Sequence, residues 1–283
     1  MAKTKRQIIE DLKLIDVVVE ILDARIPISS KNPDIEEYIK AKDKLIILNK
    51  YDLADEKQNH KWISEFKKEG IEAVLVNSNN GEGINNAIKK IEEIYNKKQE
   101  KYDNKGRIGK SIRVMIIGIP NVGKSSFINR ISKRNSATVG NRPGVTRQKQ
   151  WIKINKDIEL LDTPGVLWPK FESEEVALNL AYTGTIKDDI LQTIEVGFSL
   201  LKILVFKHRD KLEARFKLDK EVVDEILSTD LEENEKVLEI MHLIGKKRGA
   251  IISGGNIDEE KTAKIILDDF RSGKIGRITL EEV

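Results

Sequence analysis

The segment Gly118-Ile119-Pro120-Asn121-Val122-Gly123-Lys124-Ser125 sets glycines, a lysine and a hydroxyl at the spacing of a phosphate-binding loop. Glycines at 118 and 123 let the backbone curl until successive N–H groups point inward as an anion nest, and a helix opening behind it adds partial positive charge. In such a nest Pro120, Asn121, Val122, Gly123 and Ser126 line the nucleotide, Lys124 reaches the β- and γ-phosphates, and Ser125 holds Mg²⁺. A second group, Asn49-Lys50-Tyr51-Asp52, suits guanine. The Asp52 carboxylate accepts from N1–H and the exocyclic N2–H₂, a charge-assisted pair that adenine does not supply. Asn49 then braces neighbouring loops and the Lys50 stem covers a base face. A third, Asp162-Thr163-Pro164-Gly165, suits the γ-phosphate: Asp162 holds Mg²⁺, partly through water, and the Gly165 N–H touches the phosphate. Thr146 is placed to be the second protein ligand of Mg²⁺, with Thr138 as its rival. In the loop at Asn77 and Ser78, the Ser78 N–H is a candidate donor to guanine O6.

These groups need strands that end at one edge of a sheet. Val17 to Leu22, Leu45 to Leu48, Ala73 to Val76 and Val114 to Ile117 are short, β-branched apolar runs of the kind buried in a parallel sheet. Each site group follows such a run directly, where open α/β sheets bind ligands. Helical periodicity fills the gaps, with Trp62, Ile63 and Phe66 on one face and Ile84, Ala87, Ile88 and Ile91 on another. Trp151 to Ile154 and Ile158 to Leu161 read as two adjacent strands. Beyond Pro169 the strand signal ends and helices are expected at 177–180, 190–206, 222–227 and 237–243; a last one starts after Asp258, an expected N-cap, and stops at Gly273. The expected division is an α/β domain over 1–172 and an all-helical domain over 173–283.

Composition narrows the function classes. The chain has 283 residues, 34% of them charged, and no apolar run of membrane-spanning length, so no membrane partner is expected. The start lacks an apolar stretch after its charges, and a cytoplasmic address is expected. With no cysteine there is neither a disulfide nor a thiolate zinc site, and His60, His208 and His242 lack ligand spacing. Net charge is only +3, yet between Asn104 and Lys156 there is no Asp or Glu while Lys and Arg recur throughout. Such a block is the footprint of a surface that meets an RNA backbone.

The base-reading group precedes the phosphate group, the reverse of a Ras-like GTPase. A sheet of the same spatial arrangement tolerates this if the old termini are joined, and the polar stretch 96–111 is the expected join. The sequence therefore reads as a circularly permuted Ras-like P-loop GTPase domain followed by a small helical domain. That order, Asp23-Ala24-Arg25 after the first strand, the groups at 118–125 and 162–165, and the ending Asp269-Phe270-Arg271-Ser272-Gly273-Lys274 resemble the ribosome biogenesis GTPase A (YlqF/RbgA) family over nearly the whole chain. The resemblance implies GTP and GDP as ligands. It also implies action on a late precursor of the large (50S) ribosomal subunit, with rRNA and ribosomal proteins as partners and a monomer off the ribosome. It further implies a helical domain that responds to nucleotide state through the segment after Gly165.

Catalysis is expected to rest on Lys124, Thr146 and Gly165. Where Ras-type enzymes carry a water-orienting Gln, this chain has Val166. Gln148 and Gln150 lie in the neighbouring loop. The family resemblance implies a His within a Pro-Gly-His stretch before the first helix; here the sequence opens Met1-Ala2-Lys3, so either the numbering starts downstream of the true N-terminus or this form lacks that group. Asn121 resembles the asparagine that holds K⁺ between the β- and γ-phosphates in potassium-dependent GTPases. Three readings follow: a GTP-driven assembly switch, a nucleotide-gated RNA-binding scaffold with little hydrolysis, and a small-molecule P-loop kinase that would leave Asn49 to Asp52 idle. For Asp23 and Arg25, a salt bridge at a strand end and a role in partner binding both stand.

Overall fold

The structure, a computed structural model, describes residues 2–101, 111–134, 151–162, 173–186 and 193–283. It divides into two compact units, Met1–Phe171 with Thr279–Val283, and Glu172–Ile278.

The first unit is built on a six-stranded sheet. Its central strand β1 (Val17–Asp23) is buried at every residue, which suits its β-branched run. On one side lie β2 (Asp43–Asn49) and then β3 (Glu72–Val76); on the other lie β4 (Ile112–Ile117), β6 (Ile158–Asp162) and β5 (Trp151–Lys153). All pairs are parallel except β5 with β6. The register sets Asp23 beside Asn49, Asn49 beside Val76, and Ile116 beside Asp162. The three chain segments that precede the candidate site groups thus end along one edge. From β1 the chain winds outward to β3 and then crosses to β4 on the opposite side, so the winding reverses between β1 and β4, the place where open sheets form a ligand crevice.

Helices α1 (Ala2–Leu12), α2 (Pro33–Ile39) and α3 (Glu56–Lys68) cover one face. Ile8, Leu12, Ile35 and Ile39 pack on Val18, Met115 and Leu161, while Trp62 and Phe66 pack on Leu22, Ile46 and Leu48. Between these two clusters lies a charged trio: Lys44 Nζ sits 3.3 Å from Glu20 and 2.8 Å from Glu36. Burial pushes the Glu20 carboxyl up despite Lys44. Helix α4 (Ile84–Lys101) packs on β1, β2 and β3 and touches α5 (Lys124–Arg134). It carries helical structure into the stretch expected to be a linker from residue 96; positions 102–110 lie outside the described residues.

The second unit contains α6 (Glu174–Tyr182), α7 (Thr193–Lys207), α8 (Arg209–Phe216), α9 (Lys220–Ser228), α10 (Glu233–Arg248) and α11 (Glu259–Arg271). Asp258 caps α11 through Lys261 N, and Gly273 follows its end at φ 74°. Helix α11 crosses α7 so closely that a Cβ at Gly197 would lie 2.6 Å from the Ala263 Cβ. The ending singled out in the sequence is structural here. Arg271 donates to the carbonyls of Ala181 (2.8 Å) and Tyr182 (3.1 Å), closing the end of α6. Buried Asp269 accepts from Arg215 Nε and Nη2 at 2.8 and 3.0 Å and from Arg248 at 3.3 Å. Two expectations are corrected. Separate helix α8 was not foreseen, and the residues Thr279–Val283, expected to belong to the helical domain, lie with the α/β unit because their hydrogen bonds are made there.

Asp269→Asn keeps the shape but leaves two arginines facing a neutral amide. It is expected to cost about 2–4 kcal/mol, seen as an earlier urea-unfolding transition of the helical signal; an unchanged midpoint would contradict this account of the ending.

Candidate functional site

A cleft of about 440 Å³ opens at the strand edge. Asn49, Lys50, Asn77, Ser78 and Asn79 line one side, and residues 119–121 and 123–126 line the other. Asn49 and Lys50 of the base-binding group therefore share one cavity with the phosphate-binding group, although 73 positions separate Asn49 from Val122.

The phosphate side is a tight turn. Asn121 (φ 62°) and Gly123 (φ 98°) take left-handed backbone, Val122 is buried between them, and the Phe127 N–H bonds the Gly123 carbonyl at 2.9 Å as α5 begins. Lys124, Ser125 and Ser126 thus sit in the first turn of α5, where backbone N–H groups and the helix dipole favour an anion.

Asn49, itself buried, locks the two sides together. Its Nδ2 donates to the Val122 carbonyl (2.7 Å), and its Oδ1 accepts from Ser78 N (3.0 Å) and Ser78 Oγ (2.9 Å). A Cβ at position 123 would stand 2.2 Å from Asn49 Nδ2, so this contact requires glycine there. Both Ser78 donors point at Asn49, which corrects the expectation that the Ser78 N–H serves guanine O6. Asn77 in turn accepts from the N–H groups of Asn79 (2.9 Å) and Asn80 (3.2 Å), holding this loop as an Asx turn.

Lys50 has φ 58°, a conformation that disfavours its side chain. Its ammonium anchors it, donating to Asp23 Oδ2 (2.9 Å) and to the Asn121 carbonyl (2.8 Å). Arg25 grips the same carboxylate through Nε to Oδ1 (3.0 Å) and Nη2 to Oδ2 (2.8 Å). Burial would push the Asp23 carboxyl up, but Arg25 and then Lys50 outweigh it and hold the group well below the usual carboxylate range. Of the two roles left open for Asp23 and Arg25, the salt bridge is the one formed, and both residues are buried. Sequence reading missed the link to Lys50; its signal was a carboxylate ending the strand beside Asn49.

Asp52 is exposed in the turn closed by Leu53 N to Lys50 O and Ala54 N to Tyr51 O, and it is not among the residues lining the cleft. Strand β6 brings Asp162 to the same edge as β4. Thr146 and Gly165 lie outside the described residues, as do Thr138, Gln148, Gln150 and Val166. Of the basic block, Arg130 donates to the carbonyls of Ser78 and Asn79, and Arg113 lies 5.2 Å over the Trp151 ring. Asn79 and Arg130 join the loops of the site with no sequence motif to announce them.

Residues 113–242 match the family described as 50S ribosome-binding GTPase. The match opens on the strand before the phosphate loop and leaves Asn49 to Asp52 upstream, as the permuted order requires. Ribosome biogenesis GTPase A of Bacillus pumilus is 45% identical over 282 residues, covering 100% of this chain and 96% of that protein. The Bacillus cereus protein of the same name is 44% identical, with 99% and 91% covered. The chain belongs to the ribosome biogenesis GTPase A family. A crystal structure of GNP-bound YlqF from T. maritima shares the fold at TM-score 0.66 and 26% identity, over 99% of this chain and 98% of that one. The chain is accordingly a GTPase, with a circularly permuted α/β domain and a helical C-terminal portion, and guanine nucleotide is its ligand.

Asp23→Asn would leave Arg25 buried against a neutral amide, at about 3 kcal/mol near neutral pH. Because the Asp23 carboxyl is held below its ordinary 3.8, its stabilisation is present above that value and is lost as pH falls through the lower folded value. Urea unfolding is expected to show a gap between wild type and variant that holds from neutral pH to mild acid and closes only in strong acid.

Proposed function

We propose that this GTPase is an assembly factor that binds a late precursor of the large ribosomal subunit, through rRNA and ribosomal proteins, and promotes its maturation in a GTP-dependent step. The observation that carries the nucleotide part is the Asn49 contact that joins the base loop to the phosphate loop in one cleft. The ribosomal part is supported by the names of the relatives and by the acid-free basic stretch between Asn104 and Lys156. No helix among the described residues is long and apolar enough to cross a membrane. We place the protein in the cytoplasm, as a monomer away from the ribosome.

In this reading Asp52 pairs with the guanine edge, the Lys50 stem lies along a base face, and the backbone N–H groups at 121–126 cradle the phosphates. Lys124 carries its charge to the β- and γ-phosphates, and Gly165 N–H meets the γ-phosphate. The Ser125 hydroxyl on the cleft wall and the Asp162 carboxylate and Thr146 hydroxyl of the sequence are hard oxygen donors of the kind Mg²⁺ takes. When bound there, Mg²⁺ offsets charge that develops on the phosphate oxygens. Asn121, exposed on the cleft wall with its own carbonyl held by Lys50, is the residue we assign to K⁺ in this reading. Val166, where a water-orienting Gln would stand, favours one further reading: a nucleotide-gated scaffold with little hydrolysis of its own.

GTP turnover in KCl, with and without large ribosomal subunits, separates the two. The assembly reading expects a manyfold acceleration by subunits and a slower rate when NaCl replaces KCl. Subunit binding in the GTP state with turnover still at background would establish the scaffold instead.

A further inference from the structure

The last residues of the chain close on the loops behind the nucleotide cleft. Leu280 N donates to the Arg25 carbonyl (2.8 Å), and the Glu281 carboxylate accepts from Ile28 N (2.6 Å), Ser29 N (2.8 Å) and the Ser29 hydroxyl. Two consecutive N–H groups with a hydroxyl make an anion nest, and Glu281 fills it with charge-assisted bonds. Thr279 Oγ1 accepts from Asp55 N (3.0 Å), and Trp62 Nε1 donates to the Glu281 carbonyl (2.9 Å). Thr279 is only 3% exposed and Ser29 only 2%, so these contacts are packed rather than draped on the surface.

Both landing points lead to the base-reading turn. Asp55 stands three residues after Asp52 and caps α3 with its own carboxylate on Lys57 N and Gln58 N, so a bond to its backbone fixes the far end of the turn that Asn49 fixes at its start. Arg25, whose carbonyl the tail holds, grips Asp23, and Asp23 holds the Lys50 ammonium. Thr279 to Glu281 therefore reach Asp52 by one route and Lys50 by another.

The geometry points to Thr279, Leu280 and Glu281 as positioning residues: a strap that sets the turn Asn49 to Asp52 and so the affinity and selectivity for guanine. The inference rests on guanine binding at this cleft. It assigns a role to the Asp23-Ala24-Arg25 sequence and its following loop, which relay the strap to Lys50 rather than contact the nucleotide.

The test is a full-length Thr279→Val/Glu281→Ala variant, titrated with mant-GDP, mant-IDP and mant-ADP beside wild type, with amide hydrogen exchange followed at Ile28, Ser29 and Asp55. Inosine lacks the exocyclic amine, so the preference for GDP over IDP reports how well Asp52 is placed. The expected result is faster exchange at those amides, a GDP affinity weakened about tenfold, and a smaller loss for IDP that shrinks the preference. Faster exchange with an unchanged GDP-to-IDP preference overturns the strap, and so does unchanged exchange, since the bonds would then carry no constraint. A wild type that binds ADP as well as GDP would sink the guanine site itself, an outcome visible before the variant is compared.

Discussion

The site depends on the side-chain amide of Asn49. One buried group donates to the phosphate loop at Val122 and accepts twice from Ser78, and so fixes the distance between the part of the chain that reads the base and the part that holds the phosphates. A circular permutation changes the order in which these parts are synthesised, and it leaves this contact intact because the sheet, not the chain order, brings them together. Central placement of β1 makes that possible: β2 with Asn49 pairs on one side and β4 with the phosphate loop on the other. The demand for glycine at 123 follows from the same contact, since any side chain there would displace Asn49.

Around this amide the electrostatics are layered outward. Asp23 stays ionised because two cations face it, and its charge in turn keeps the Lys50 ammonium beside the Asn121 carbonyl. Lys50 and Asn121 both adopt left-handed backbone, a conformation that costs a lysine about 1–2 kcal/mol, and the Lys50 head group bonded to Asn121 ties the two strained residues to each other. The loop that continues from Arg25 is closed by Glu281, whose carboxylate accepts from the backbone of Ile28 and Ser29, so ion pairs at the cleft wall give way to charge-to-backbone hydrogen bonds at the last residues.

Much of this was legible in the sequence because the relevant signals are local. Apolar β-branched runs marked β1 to β4, glycine and lysine spacing marked the phosphate loop, and Asp258 with Gly273 marked both ends of α11. What was not legible depends on contacts between distant residues. Nothing in the periodicity of the last residues tells which unit their hydrogen bonds reach, and Asp23 has the same local pattern whether it meets a partner protein or Lys50. The Ser78 N–H has a single direction, and only the fold shows that Asn49 takes it. Helix α8 was missed for a different reason. It starts two residues after α7 ends, with a run of charges that blurs the break.

The most direct measurement is the affinity of an Asn49→Ala variant for mant-GDP, with its fold checked by circular dichroism. Removing the amide leaves the Val122 carbonyl and both Ser78 donors without their shared partner, a loss of about 3 kcal/mol across three bonds. If Asn49 joins the two halves of the site, the variant folds and its GDP affinity falls about a hundredfold. A folded variant that binds GDP as tightly as wild type would contradict the account, for the two loops would then be held together by something other than Asn49.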